Sequence, residues 1–188
     1  MTGRPFKVLS QRELCSHYRY SLSADDVEWP DGTLSSYGVF RQPEAALIVP
    51  LSEAGTTVIV RQWRHSWEAD AWEVPAGTVE EGEAPEATAR RELIEEAGLE
   101  AKRWDSLGTA RATAVSTALF HFFLARDLSR VARRPEIYEQ DMVVRELPLE
   151  EALGLAEEGT IQHAASIAAL FRAHRFLTGG PPSSSCKS

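Results

Sequence analysis

The apolar positions of this chain fall into short runs separated by turn residues. Over the first forty residues the runs are brief, and strands are expected at Phe6–Gln11, Tyr18–Ser23 and Thr33–Phe40, with Pro30-Asp31-Gly32 turning the chain before the third. A second block is more apolar. Ala45–Leu51, Thr57–Arg64 and Ala71–Val74 carry rows of Ile and Val between turn residues and read as buried strands. An acidic, helix-rich stretch follows from Gly77 to Gly98. Leu119–Ala125 and Met142–Leu147 read as further strands, and Pro148–Glu157 and Ile161–Phe176, rich in Ala and Leu, as helices. Strands on both sides of a central helix, with helices closing the chain, imply an α+β fold with a mixed sheet packed between helices.

With 188 residues the chain has room for one domain and a small appendage. The residues divide into an N-terminal β subdomain at 1–42, a main domain at 43–178, and a Gly, Pro and Ser-rich flexible tail at 179–188. A hydrophobic fraction of 43%, with five Trp and seven Phe, is enough for a packed core and excludes wholesale disorder. Twenty Lys and Arg against 28 Asp and Glu give a net charge of −8, which argues against a nucleic-acid partner, because a phosphate track needs a basic face. The two cysteines, Cys15 and Cys186, form no CxxC pair, and no segment has the apolar length of a leader or a membrane span. A soluble, cytoplasmic protein with no membrane partner is expected.

Candidate chemistry concentrates between Gly77 and Leu99. Eight of the 21 residues from Glu80 to Glu100 are Glu. Such a run is most often a solvated helix face. Pro85 suits a first helical turn and Gly98 the position just past a helix end. Between them each residue turns the chain by ~100°, so Glu92, Glu95 and Glu96 fall within one arc, while Ala89, Leu93 and Ala97 can face a core. Carboxylates on one stripe repel by a few tenths of a kcal/mol per close pair unless water or a cation relieves them. Oxygen-loving Mg²⁺ suits such a stripe, because it binds carboxylates together with substrate phosphates.

The order of residues then resembles the Nudix box: Gly, five residues, Glu, seven residues, Arg-Glu, an aliphatic, any residue, Glu-Glu, any residue, Gly, an aliphatic. Gly77, Glu83, Arg91, Glu92, Leu93, Glu95, Glu96, Gly98 and Leu99 fill every specified place. Seven fixed letters coincide by chance at about 10⁻⁸ per start position. The resemblance implies a Nudix-type α/β/α sandwich and a Mg²⁺- or Mn²⁺-dependent hydrolase of a nucleoside diphosphate linked to another moiety. It implies that Glu92, Glu95, Glu96 and the carbonyl of Ala76 hold the metal, Glu95 being counted with the catalytic residues as well. It implies too that Arg91 and Glu83 form a structural ion pair and that Gly77 permits a tight turn.

The flanks resemble the ADP-ribose and nucleoside-diphosphate-sugar pyrophosphatase branch. They are Val60-Arg-Gln-Trp-Arg64, Trp72-Glu-Val-Pro-Ala-Gly77, Trp29-Pro-Asp-Gly32, Leu124-Ala-Arg-Asp-Leu128 and Leu147-Pro-Leu-Glu-Glu-Ala-Leu153. That branch implies a nucleotide-sugar substrate, cleaved to a nucleoside monophosphate and a sugar phosphate, and a homodimer built through the N-terminal strands. Arg61 and Arg64, alternating with Gln62 and Trp63, are expected on one side of a strand, either holding a diphosphate or as ordinary surface charge. Trp63, Trp67 and Trp72 are candidate walls for a base, Trp63 and Trp72 being also candidates for core or dimer contacts, and Tyr18, Tyr20 and Phe40 are equally open as stacking residues. The branch implies a general base in an acidic loop after the post-box strand, here Glu139, then Glu136 and Asp141. Ser116-Thr-Ala-Leu stands where the ADP-ribose group shows a Ser-Asn-Glu-like turn, and a proline common nearby is absent. ADP-ribose is therefore expected to be a substrate without a wide margin over other compounds. A non-catalytic Nudix domain that senses a nucleotide sugar is the alternative, and loss of box carboxylates would favour it.

Overall fold

The computed structural model describes residues 3–135 and 141–179. It forms two compact units, Met1–Glu44 with Ala110–Leu119, and Ala45–Thr109 with Phe120–Ser188.

The first unit is an antiparallel sheet of β1 (Lys7–His17), β2 (Tyr20–Glu28) and β3 (Leu34–Arg41) in that order. The second strand starts at Tyr20 rather than Tyr18 because Tyr18 adopts a left-handed backbone (φ 54°) in the hairpin turn that pairs His17 with Tyr20. Pro30-Asp31-Gly32 is the expected turn: Gly32 has φ 83°, its N–H donates to Trp29 O at 2.9 Å, and Asp31 Oδ1 accepts from Thr33 N–H at 2.9 Å. The 110–119 segment joins this unit through Phe40 N–H to Val115 O (2.8 Å) and Thr117 N–H to Phe40 O (3.0 Å).

The second unit holds β4 (Ala45–Pro50), β5 (Thr56–Arg64), β6 (Ala69–Glu73), β7 (Ala76–Thr78), α1 (Pro85–Ala97), β8 (Leu99–Arg111, its last two residues in the first unit), β9 (Leu119–Arg130, its first residue in the first unit), β10 (Val143–Pro148), α2 (Leu149–Glu157) and α3 (Ala164–Leu177). One sheet runs β7-β4-β9-β8 and the other β10-β5-β6. The first is mixed, because β4 pairs antiparallel with β7 and parallel with β9. Alternation along β4 turns Ala46 and Ile48 towards α1, where they cluster with Ala89 and Leu93, and turns the equally buried Leu47 and Val49 to the opposite face. Helices α1 and α3 both pack on β4, and α2 packs on β5, β10 and α3.

Strand β8 escaped the hydrophobic reading. It is an edge strand of its sheet, largely exposed, and only Leu99, Ala101 and Trp104 reach the core cluster beside α1. An edge strand buries too little to need regular apolar alternation. Strand β7 escaped because it is three residues long and contains Gly77. No helix among the described residues is long and apolar enough to cross a membrane.

Candidate active site

Pro85 follows the extended Ala84 as the first helical residue of α1, and Gly98 closes the helix in the left-handed conformation (φ 63°), its N–H returning to Ile94 O at 3.0 Å. The helix therefore spans the region in which Glu92, Glu95 and Glu96 share an arc. That arc is not a solvated face. Glu92 is 6% and Glu96 2% exposed, and both lie against the strand and loop that precede the helix.

Gly77 shows why that loop needs a glycine. A Cβ built there would lie 1.7 Å from Glu92 Oε1, so the Glu92 carboxylate occupies the space any side chain would take. Gly77 pairs with Ala46 across the sheet, and two small residues in register let α1 come close. One residue earlier, Ala76 N–H donates to Glu96 Oε2 at 2.8 Å.

Arg91 joins the stripe to the loop. Its Nη1 lies 2.6 Å from Glu92 Oε1 and 2.8 Å from Glu95 Oε2. Its Nε and Nη2 reach Glu83 at 3.4 and 3.3 Å, and Nη2 also reaches Thr78 O at 3.3 Å. The shorter contacts are thus with the two stripe carboxylates. Glu83 also accepts from Thr88 Oγ1 at 2.7 Å. Burial raises the Glu83 pKa, but hydrogen bonds from Arg91 and Thr88 outweigh it and hold the carboxyl below its ordinary value. Burial works against the Arg91 charge, yet the bonds to Glu83 and the charge of Glu92 secure it.

The donor set suits a hard divalent cation. Glu92 and Glu95 already direct one oxygen each at a single positive nitrogen, and Glu96 stands beside them with the Ala76 peptide. Among the described residues no group of three or more acidic, His or Cys side chains is preassembled as a metal cage, and the Arg91 guanidinium bridges the Glu92 and Glu95 carboxylates.

The expectation that Arg61 and Arg64 share a side fails. Both lie on β5, and residues three apart on an extended strand face opposite ways. Arg61 lies opposite Trp72 in the sheet, its Cζ 5.7 Å from the ring centroid and its Nη1 3.8 Å from Asp70. Trp63 shares the Arg61 face and is 58% exposed, so it is not a core residue. Arg64 turns the other way and places a two-pronged contact on Glu73, Nε to Oε1 and Nη2 to Oε2, both 2.6 Å. Trp72 is partly buried, with Arg145 Cζ 6.0 Å from its centroid on the same face as Arg61. Trp67 ends a 3₁₀ turn with its ring 6.2 Å from that of His163, and Tyr20 stacks on Phe40 at 5.8 Å. Tyr18 is 82% exposed. Asp141 is exposed in a turn, whereas Glu136 and Glu139 lie outside the described residues.

Sequence reasoning missed Glu73. The carboxylate is buried, and His163 Nδ1 lies 3.1 Å from its Oε2. Burial raises its pKa, but the Arg64 and His163 hydrogen bonds and charges more than reverse that and hold it at about 2. The signal was present: a lone Glu in the apolar run Ala71–Val74, just before the box, requires a partner.

The NUDIX domain model matches residues 41–170. An ADP-ribose pyrophosphatase of Bacillus subtilis is 35% identical over 161 residues, 84% of this chain and 86% of the relative. An ADP-ribose pyrophosphatase of Mycobacterium tuberculosis is 33% identical over 183 residues, covering 95% and 88%. A methanol dehydrogenase activator of Bacillus methanolicus is 31% identical, covering 87% and 90%. A crystal structure of an ADP compounds hydrolase superposes with a TM-score of 0.83 at 21% identity, over 95% of this chain and 97% of that one, and shows the same fold. The chain belongs to the Nudix family. Within it, the chain is a Nudix hydrolase of the ADP-ribose pyrophosphatase-like branch.

Proposed function

We propose that the protein hydrolyses the diphosphate of ADP-ribose or another nucleoside-diphosphate sugar to a nucleoside monophosphate and a sugar phosphate, with Mg²⁺ or Mn²⁺. The observation that carries this reading is the convergence of Glu92 Oε1 and Glu95 Oε2 on one cationic nitrogen beside Gly77. Glu92, Glu95, Glu96 and the Ala76 carbonyl are the groups that would hold the metal. The chemistry a divalent cation supplies in such a place is neutralisation of the diphosphate and activation of the attacking water. The chain's own part is positional. Gly77 leaves Glu92 its room, Arg91 and Glu83 tie the loop to α1, and Glu96 fixes the Ala76 amide. Arg61 and Trp63, on the same side of β5, are assigned as the substrate-facing pair, and Arg64 contacts Glu73 instead. The general base is assigned to Glu139, with Glu136 and Asp141 behind it, on the resemblance alone. Exposed apolar side chains on the N-terminal strands, Leu9, Leu14, Leu34 and Tyr37 among them, support a homodimer formed through that subdomain.

The relatives named ADP-ribose pyrophosphatase put ADP-ribose first among substrates. A second reading is a non-catalytic Nudix domain that binds a nucleotide sugar as a sensor; one relative bears a name that is not a hydrolase's, methanol dehydrogenase activator. Intact box carboxylates favour the enzyme. Phosphatase-coupled phosphate release with Mg²⁺ over ADP-ribose, ADP-glucose, GDP-mannose, UDP-glucose and NADH decides between them. Release from ADP-ribose or another nucleotide sugar is expected; silence across the panel together with measurable binding would establish the sensor.

A further inference from the structure

The chain enters the box through five residues, Glu73 to Gly77, and a different neighbour fastens each. Arg64 and His163 hold the Glu73 carboxylate. Val74 N–H donates to Ser166 Oγ at 3.0 Å. Ile48 N–H, from β4, donates to the Pro75 carbonyl at 2.8 Å. Ala76 N–H is bound by Glu96, and Gly77 lies under Glu92. The second fastening comes from 92 positions away in sequence, and its acceptor, in the first turn of α3, is fully buried.

His163, at the N-cap position of α3, reinforces it. Its Nδ1 lies 2.8 Å from Ser166 Oγ and 3.1 Å from Glu73 Oε2, so one ring nitrogen addresses both. This is not a nucleophile relay. A relay needs the two imidazole nitrogens to serve different partners, and it needs an accessible hydroxyl. Here one nitrogen faces both groups, and the hydroxyl has no exposure and accepts from a backbone amide. The arrangement orients backbone.

We propose that Ser166 and His163 are positioning residues for the Ala76 carbonyl, acting through the Val74 amide and the Glu73 carboxylate. Resting on the metal-dependent reading above, the proposal follows from the order of bonds along the segment. Pro75 has a fixed φ, so anchoring the Val74 amide on one side and the Ala76 amide on the other sets the two peptide planes between them, and with them the place at which Ala76 enters β7 opposite Leu47 and presents its carbonyl. Without the Ser166 oxygen, Val74 N–H is left buried and unpaired, and the segment must shift to satisfy it. Groups that orient a metal ligand from behind are worth about 10- to 100-fold in metal affinity.

The test is Mn²⁺ binding to the full chain by calorimetry without substrate, with near-ultraviolet circular dichroism as the check of fold and hydrogen exchange at the Val74 amide as the direct reporter. Ser166→Ala is expected to bind Mn²⁺ about 10-fold or more weakly and to lose protection at Val74. His163→Leu should weaken binding in the same direction, and His163→Asn, which keeps a donor near the Nδ1 position, should restore it. If Ser166→Ala does not fold, the two His163 variants carry the test. Unchanged Mn²⁺ affinity in natively folded Ser166→Ala or His163→Leu overturns the positioning role and leaves the metal reading standing. A wild-type protein with no Mn²⁺ affinity overturns that reading and this inference with it.

Discussion

Replacing Glu73 by Gln tests the buried charge beside the box. Its carboxylate is 1% exposed, takes the Arg64 fork at 2.6 Å twice, and faces His163 Nδ1 at 3.1 Å. The folded-state pKa of about 2 lies below the ordinary 4.5. The ionised form is therefore the stabilising one: its contribution is full above the unfolded pKa and is lost as pH falls through the folded value. The shift corresponds to about 3 kcal/mol at neutral pH. Arg64 is 37% exposed and can return to water in the variant, which trims the expected loss to about 2 kcal/mol. Urea unfolding followed by tryptophan fluorescence, repeated from about pH 7 to about pH 3, reads the difference between wild type and Glu73→Gln. The gap should be about 2 kcal/mol near neutrality and should close progressively below about pH 4.5, because other carboxylates titrate in both proteins and cancel. A gap near zero at neutral pH, or one unchanged down to about pH 3, would refute the reasoning.

Three other perturbations bear on the site. Gly77→Ala places a methyl within 1.7 Å of Glu92 Oε1, so Glu92 must leave its position; Mn²⁺ calorimetry should show weakened binding in a protein that still gives native circular dichroism. Arg91→Met removes the cation between Glu92 and Glu95, so the metal-free protein should melt lower while Mg²⁺ raises its melting temperature more than it raises that of wild type, in a thermal scan with and without chelator. In steady-state kinetics ADP-ribose should not exceed every other nucleotide sugar by more than about tenfold in kcat/KM, ~1.4 kcal/mol, because the 113–119 segment lacks the Ser-Asn-Glu-like turn.

What the sequence disclosed and what it hid divide along physical lines. The ends of α1 and the arc of Glu92, Glu95 and Glu96 were legible because Pro85, Gly98 and the helical period are local signals. The buried state of that arc was not, since it depends on the Gly77 clearance, a contact across 15 residues of chain. Arg61 and Arg64 were assigned to one side by counting alternation across an even pair of intervening residues, and the period of two in β5 separates them. Strand β8 was hidden by charge on an exposed edge. The linkage of Glu73 to His163 and Ser166 was hidden most completely. His163 has no ligand spacing with His174, and nothing in the spacing of residues reveals that the start of α3 returns to the strand before the box.

The metal-holding stripe is the claim on which the rest stands, and kcat of Glu92→Gln, Glu95→Gln and Glu96→Gln at saturating Mg²⁺ and nucleotide sugar tests it most directly. Each substitution keeps shape and removes one charge. A metal site that supplies several kcal/mol to the reaction predicts a fall of about 10²-fold or more in every variant, with native circular dichroism retained. Turnover near that of wild type in all three would contradict it.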